Sequence, residues 1–144
     1  MKITPYLNFD NKTEEAFNFY KEIFGGEFST LQRFKEAPGT PPEEAERIMH
    51  VSLEISDGLT LMGSDISPAR GHKLIVGNNV YISLHPDSKD EGQRLYDKLS
   101  EGGEIEMKYE KMFWGGWYAA FKDKYGVQWM INFQEDPLPG KEEK

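Results

Sequence analysis

The sequence predicts an α+β protein built from two βαβββ modules, and three observations carry that prediction. A strand, an amphipathic helix, a Gly-Gly stop and the start of a second strand run through residues 6–28, and the same outline returns over residues 81–105. Landmarks recur at nearly constant spacing: Tyr6 and Tyr81 (81−6 = 75), Tyr20 and Tyr96 (96−20 = 76), Gly25-Gly26 and Gly102-Gly103 (102−25 = 77). The module ends align without drift, His50-Val51-Ser52-Leu53 with Tyr118-Ala119-Ala120-Phe121 and residues 57–62 with residues 125–130, all at a separation of 68 (118−50). Such separations exceed the usual solenoid periods, so the repeat describes a duplicated domain and not an array.

Each element has its own signal. Ile3, Pro5, Leu7 and Phe9 alternate with Thr4, Tyr6, Asn8 and Asp10, the period of a strand. Thr13 is placed to cap a helix, with Glu14 and Glu15 in the first turn where the helix dipole favours anions. Ala16, Phe17, Phe19, Tyr20, Ile23 and Phe24 form its apolar face, and Gly25-Gly26 stops it. Residues 28–34 read as a second strand. The stretch 37–46, with Pro38, Gly39, Pro41 and Pro42, is too rich in turn formers for regular structure and reads as an exposed, mobile loop. In residues 48–55 the apolar set Met49, Val51, Leu53 and Ile55 makes the core face, which turns His50 to the other side with Ile48, Ser52 and Glu54. Asp57-Gly58 signals a hairpin and residues 59–64 the returning strand.

Residues 65–77 link the modules. Residues 79–85 form the next strand, and Asp87 or Ser88 caps a helix that carries Leu95, Tyr96 and Leu99 and ends at Gly102-Gly103. Strands over residues 104–111, 117–122 and 127–133 complete the second module. The organisation expected is one domain of residues 1–134, made of modules 1–65 and 77–134, followed by a flexible acidic, Pro-containing tail over residues 135–144.

Composition narrows the function classes. The 144 residues are 38% apolar and 13% aromatic, enough for a sizeable core, and carry a formal net charge of −8. That charge opposes nucleic acid and anionic membrane surfaces as partners, since both need clustered Lys and Arg. With no cysteine there is no disulfide, thiol nucleophile or thiolate metal site. No apolar run approaches the roughly 18 residues of a membrane span, and a cytoplasmic location is expected.

The sequence carries no Ser/His/Asp spacing, phosphate-binding glycine loop or G-x-G-x-x-G. His72 and His85 read as solvated surface residues, whereas His50 lies mid-strand opposite the core face and is the candidate acid/base. Trp114-Gly115-Gly116-Trp117-Tyr118 is the most aromatic run, with glycines that let backbone approach a ligand and rings that can wall it. Gln128, Met130 and Asn132 share one face of the last strand, as Thr60, Met62 and Ser64 do on its counterpart.

The tandem modules with Ala16-Phe17-Asn18-Phe19-Tyr20, Gly25-Gly26, Met49-His50, Leu61-Met62-Gly63-Ser64-Asp65, Trp114-Gly115-x-x-Tyr118 and Asp123-x-x-Gly126-Val127-x-Trp129-Met130-Ile131-Asn132 resemble the vicinal oxygen chelate superfamily of glyoxalases, bleomycin-resistance proteins and dioxygenases. The resemblance is strongest to its PhnB-like branch, labelled demethylubiquinone methyltransferase-like. It implies a curled mixed sheet with a concave pocket, often over a metal, and a homodimer. The superfamily's His or Glu ligand positions fall on Pro5, Met62, Val80 and Met130, none of which suits a divalent cation, so no metal and no cofactor are expected. On the same resemblance, Met62 and Met130 floor the pocket, Ser64, Gln128 and Asn132 orient a ligand, and Trp114 and Tyr118 stand at its mouth. The function expected is metal-free binding of a small apolar or aromatic molecule. The alternatives are an isomerase or lyase using His50, and a divalent-metal glyoxalase or dioxygenase, which the four ligand positions oppose.

Overall fold

The structure is a computed structural model describing residues 1–135, and it forms two compact units, Met1–Val76 and Gly77–Lys144. Of the expected tail over residues 135–144, residues 136–144 lie outside the described residues. Glu135 is anchored, since the Trp117 Nε1–H donates to its Oε2 at 2.6 Å.

Unit 1 contains β1 (Tyr6–Phe9), α1 (Thr13–Phe24), β2 (Glu27–Arg33), β3 (Ile48–Ser56) and β4 (Leu59–Asp65), with the sheet order β1-β4-β3-β2. β1 runs parallel to β4, and the other pairs are antiparallel. Ala16, Phe17, Tyr20 and Ile23 of α1 are buried with Phe9, Val51, Leu53 and Leu61 of the sheet. Each of the phenylalanine, valine, leucine and isoleucine side chains contributes about 1.5–3 kcal/mol by leaving water. The Phe17 ring lies so close to Gly63 that a Cβ there would meet it at 2.7 Å, so β4 needs glycine where the helix crosses.

The helix is capped differently from the expectation. Thr13 is the first helical residue, Lys12 stands at the N-cap without a side-chain bond, and the cap comes from the far end of the module. Asp65 Oδ1 accepts from the Lys12 N–H (3.0 Å), the Thr13 N–H (3.0 Å) and the Thr13 hydroxyl (2.7 Å), while Oδ2 accepts from the Ile48 N–H (2.8 Å). Asp65 is 4% exposed, and its charge also complements the positive end of the helix dipole.

Two further expectations are corrected. The β2–β3 register slips between the pairs Gln32↔His50 and Arg33↔Ile48, leaving Met49 without an opposite residue. That bulge buries Ile48 to 1% exposure and turns Met49 out of the core, the reverse of simple alternation. The stretch 37–46 is not a free loop: Pro42–Glu44 makes a 3-10 turn, and Glu44, 4% exposed, accepts from the Ser67 hydroxyl at 2.5 Å and the Ala69 N–H at 3.1 Å. Proline at the start of the turn costs no hydrogen bond there, which is why so Pro-rich a run can be ordered.

Unit 2 repeats the plan with β5 (Ile82–Leu84), α2 (Lys89–Leu99), β6 (Glu104–Lys111), β7 (Gly116–Lys122) and β8 (Gln128–Gln134), in the order β5-β8-β7-β6. Ser88 caps α2 locally, accepting from the Glu91 N–H at 3.1 Å. β5 is shorter than the expected strand over residues 79–85. The Val80 carbonyl is taken by the Gln128 side chain at 2.8 Å instead of a ladder partner, and Val80 itself is 71% exposed. Both sheets are open, mixed and four-stranded, so the duplication read from spacing is a duplication of topology.

Candidate functional site

In unit 2 the ends of β7 and β8 and the turn entering α2 enclose a cavity of about 540 Å³. Trp114, Trp117, Asn132, Gln134, His85 and Asp87 line it. The chain after β6 reverses through a turn in which the Gly115 N–H donates to the Met112 carbonyl (3.0 Å) and the Met112 N–H to the Gly116 carbonyl (2.7 Å). Gly115 takes φ 87°, a conformation that favours glycine. A Cβ on Gly116 would meet the Trp114 Nε1 at 2.6 Å, so this glycine lets the indole lie against the strand. Tyr118 braces the indole from behind, edge to face with ring centroids 6.3 Å apart. Burial, then the nearby Glu106 carboxylate, pushes the Tyr118 phenol above its ordinary pKa, and the residue backs the indole without lining the cavity itself.

The polar edge of the cavity is a short relay. The Asn132 Nδ2–H donates to Ser83 Oγ at 2.9 Å, and Ser83 Oγ lies 3.1 Å from His85 Nε2. Trp114 and Asn132 both line this cavity, whereas Met62, Ser64, Tyr118, Gln128 and Met130 do not. His85 joins them, although a histidine before Pro86 reads as a surface residue. It is indeed exposed, and the only signal that could have found it is its place one residue beyond β5, beside Asn132.

The other candidate residues are placed as follows. Met130 is half-buried, between Ser83 on β5 and Ala120 on β7. Gln128 is 7% exposed and pins the segment before β5 through Val80. In unit 1, Met62 sits between Tyr6 and Ser52, and the Ser64 hydroxyl donates to Asn8 Oδ1 at 3.2 Å. His50 lies half-buried on the face opposite Val51 and Leu53, with its Nδ1 3.0 Å from the Tyr6 hydroxyl and the two rings stacked at 5.7 Å. Nothing in the spacing singles out Tyr6 as its partner, because the pairing depends on β1 and β3 both flanking β4.

Residues 1–132 match the family model described as 3-demethylubiquinone-9 3-methyltransferase. The chain belongs to this family. It is 31% identical over 143 residues to Protein YjdN of Escherichia coli (strain K12), covering 92% of this chain and 95% of that protein. Among solved structures, protein PA1353 from Pseudomonas aeruginosa is 34% identical with a TM-score of 0.85, covering 94% of this chain and 99% of that one. A putative 3-demethylubiquinone-9 3-methyltransferase, PhnB protein, from Bacillus cereus superposes with a TM-score of 0.75 at 24% identity, over 92% of this chain and 99% of that chain. A glyoxalase/bleomycin resistance protein/dioxygenase from Nocardioides shares the fold at 18% identity and a TM-score of 0.60, over 99% and 91% of the two chains.

Strand register tests whether this PhnB-like chain fits the metal of glyoxalase-type relatives. Tyr6 faces Met62, and Ser83 faces Met130, so the first strands are offset by 83−6 = 77. Tyr6 is thus answered by Ser83 and not Tyr81, and Pro5 by Ile82 and not Val80. Tyr6 and Ser83, not Pro5 and Ile82, stand beside Met62 and Met130 on one face, and two thioethers with a phenol and a hydroxyl are not the imidazole and carboxylate set that a hard or borderline divalent cation takes. Among the described residues no three His, Asp or Glu side chains converge as a metal site.

Proposed function

We propose that this PhnB-like protein binds a small aromatic molecule in the unit 2 cavity without a metal. The observation that carries the reading is the Trp114 indole, held by Gly116 and Tyr118, beside the Asn132–Ser83–His85 edge. Flat rings gain about 0.5–1.5 kcal/mol from aromatic stacking beyond area burial, and the amide and imidazole set the orientation of a polar rim. The methyl transfer named in the family description finds no glycine-rich nucleotide loop in this sequence to hold a methyl donor. The test is native mass spectrometry of protein purified under mild conditions, followed by extraction and titration of any co-purifying molecule. Trp114→Ala is expected to weaken that molecule's binding at least about tenfold; unchanged affinity overturns the reading.

One observation favours a second reading, an isomerase or lyase. The Tyr6 hydroxyl lies within hydrogen-bond distance of His50 Nδ1, so the phenol can fix the imidazole's orientation and leave Nε2 to move a proton. Under this reading His50→Gln abolishes turnover of the extracted molecule with its affinity kept, whereas under the binding reading His50→Gln changes neither.

A further inference from the structure

The cavity of unit 2 has a counterpart in unit 1. With offsets of 77 for the first strands and 68 for the last two, Asn8 answers His85, Met49 answers Trp117 and Ser64 answers Asn132. These three unit 1 residues line a cavity of about 500 Å³ together with Phe34, His72 and Lys73. The duplication copied a concavity at the same strand ends, and divergence changed its chemistry.

That chemistry is donor-rich. The Ser64 hydroxyl donates to Asn8 Oδ1, which leaves the Asn8 amide hydrogens free. The Ser67 N–H donates to His72 Nδ1 at 3.2 Å, so the ring proton sits on Nε2, and that nitrogen is a donor. Lys73 adds an ammonium. Among the described residues none of these three donors has a protein acceptor. Asp65 also reaches the cavity, but its two oxygens already serve four donors. Phe34, Met49 and Ile66 supply apolar wall. A lining with two neutral donors and a cation together with a thioether and a ring matches an anionic head on an apolar body.

We propose that the unit 1 cavity is a second binding site, for a small organic carboxylate with an apolar body. Asn8, His72 and Lys73 take the carboxylate, and Phe34 and Met49 take the body. Occupancy of this site does not depend on the Trp114 cavity.

The probe is benzoate, titrated at roughly millimolar concentration into the full chain and followed by amide and side-chain NMR. Benzoate is expected to shift the resonances of Asn8, Ser64, Ile66, His72 and Lys73 saturably. Benzamide, of the same shape but neutral, is expected to bind about tenfold more weakly. The double variant His72→Gln, Lys73→Gln, whose side chains are exposed and whose fold is checked by its unperturbed spectrum, loses the same factor, while Lys108→Gln does not. Equal binding of benzamide and benzoate, or shifts confined to His85 and Asn132, overturns the proposal. Trp114→Ala separates the two sites: it weakens the ligand of unit 2 at least about tenfold and leaves the benzoate shifts at Asn8 and His72 unchanged, so failure of one reading is visible apart from the other.

Discussion

Asp65 satisfies four donors with two oxygens while almost fully buried. Replacing it by Ala strands two helix N–H groups, a hydroxyl and the Ile48 N–H away from water. Each stranded donor costs about 1–3 kcal/mol, although relaxation of the chain recovers part of the sum. Asp65→Ala is therefore expected to lower unfolding free energy by about 3 kcal/mol, read as a lowered urea midpoint at unchanged slope. Sequence reading sees an aspartate at a strand end and assigns a turn, because its partners are 17, 52 and 53 residues away. The same blindness hides Tyr6 beside His50. Residues whose role is local, such as Ser88 before α2, are legible, since their partners lie within one helical turn.

At the scale of elements, what survives from sequence to structure is what repeats. The constant separation of 68 along β3-β4 and β7-β8 reflects apolar alternation enforced by one buried sheet face, and slipping by one residue would expose the whole row. Elements that depend on what packs against them are less legible: the bulge at Met49 and the short β5 follow from pairing with other strands. The glycines after the two helices show the duplication at its tightest. A Cβ on Gly26 would strike the Glu54 carbonyl, and one on Gly103, 77 residues on, the Lys122 carbonyl. Gly103→Ala is expected to cost about 2–3 kcal/mol by thermal or urea unfolding, because backbone and not a flexible side chain must yield. Gly77→Ala, where the nearest atom is an Asn79 oxygen at 3.6 Å, is expected to be neutral.

At the scale of the whole chain, the excess of acidic residues makes stability depend on pH in a direction that the carboxylates fix. Hydrogen bonds from Thr60, Ser52 and Ser29 hold Glu54 below the ordinary carboxylate pKa, and the Arg33 side chain does the same for Glu14. A depressed folded pKa contributes stability above the unfolded value of about 4.3 and loses it as pH falls through the folded value. The urea midpoint is thus expected to fall between about pH 5 and pH 3, and Glu54→Gln to flatten that fall; an identical pH profile in the variant would refute the role given to the Thr60–Ser52–Ser29 cluster. Tyr81, whose phenol is raised by its bond to the Glu106 carboxylate, acts in the opposite range, losing its contribution above pH 10. The fold was readable because two modules had to meet the same packing demands, whereas the cavities were not, since they form where loops of different length return to matching strand ends.

The two helices come of age at different moments of synthesis. α2 meets Ser88 one residue before its first turn, so its cap is available as soon as its own sequence is. α1 must wait for a carboxylate 52 residues downstream. Until residue 65 is in place, α1 lacks the acceptor for its first N–H groups and β3 lacks the tie at the Ile48 N–H. The final residue of β4 therefore ties the start of the helix and the start of β3 to one carboxylate.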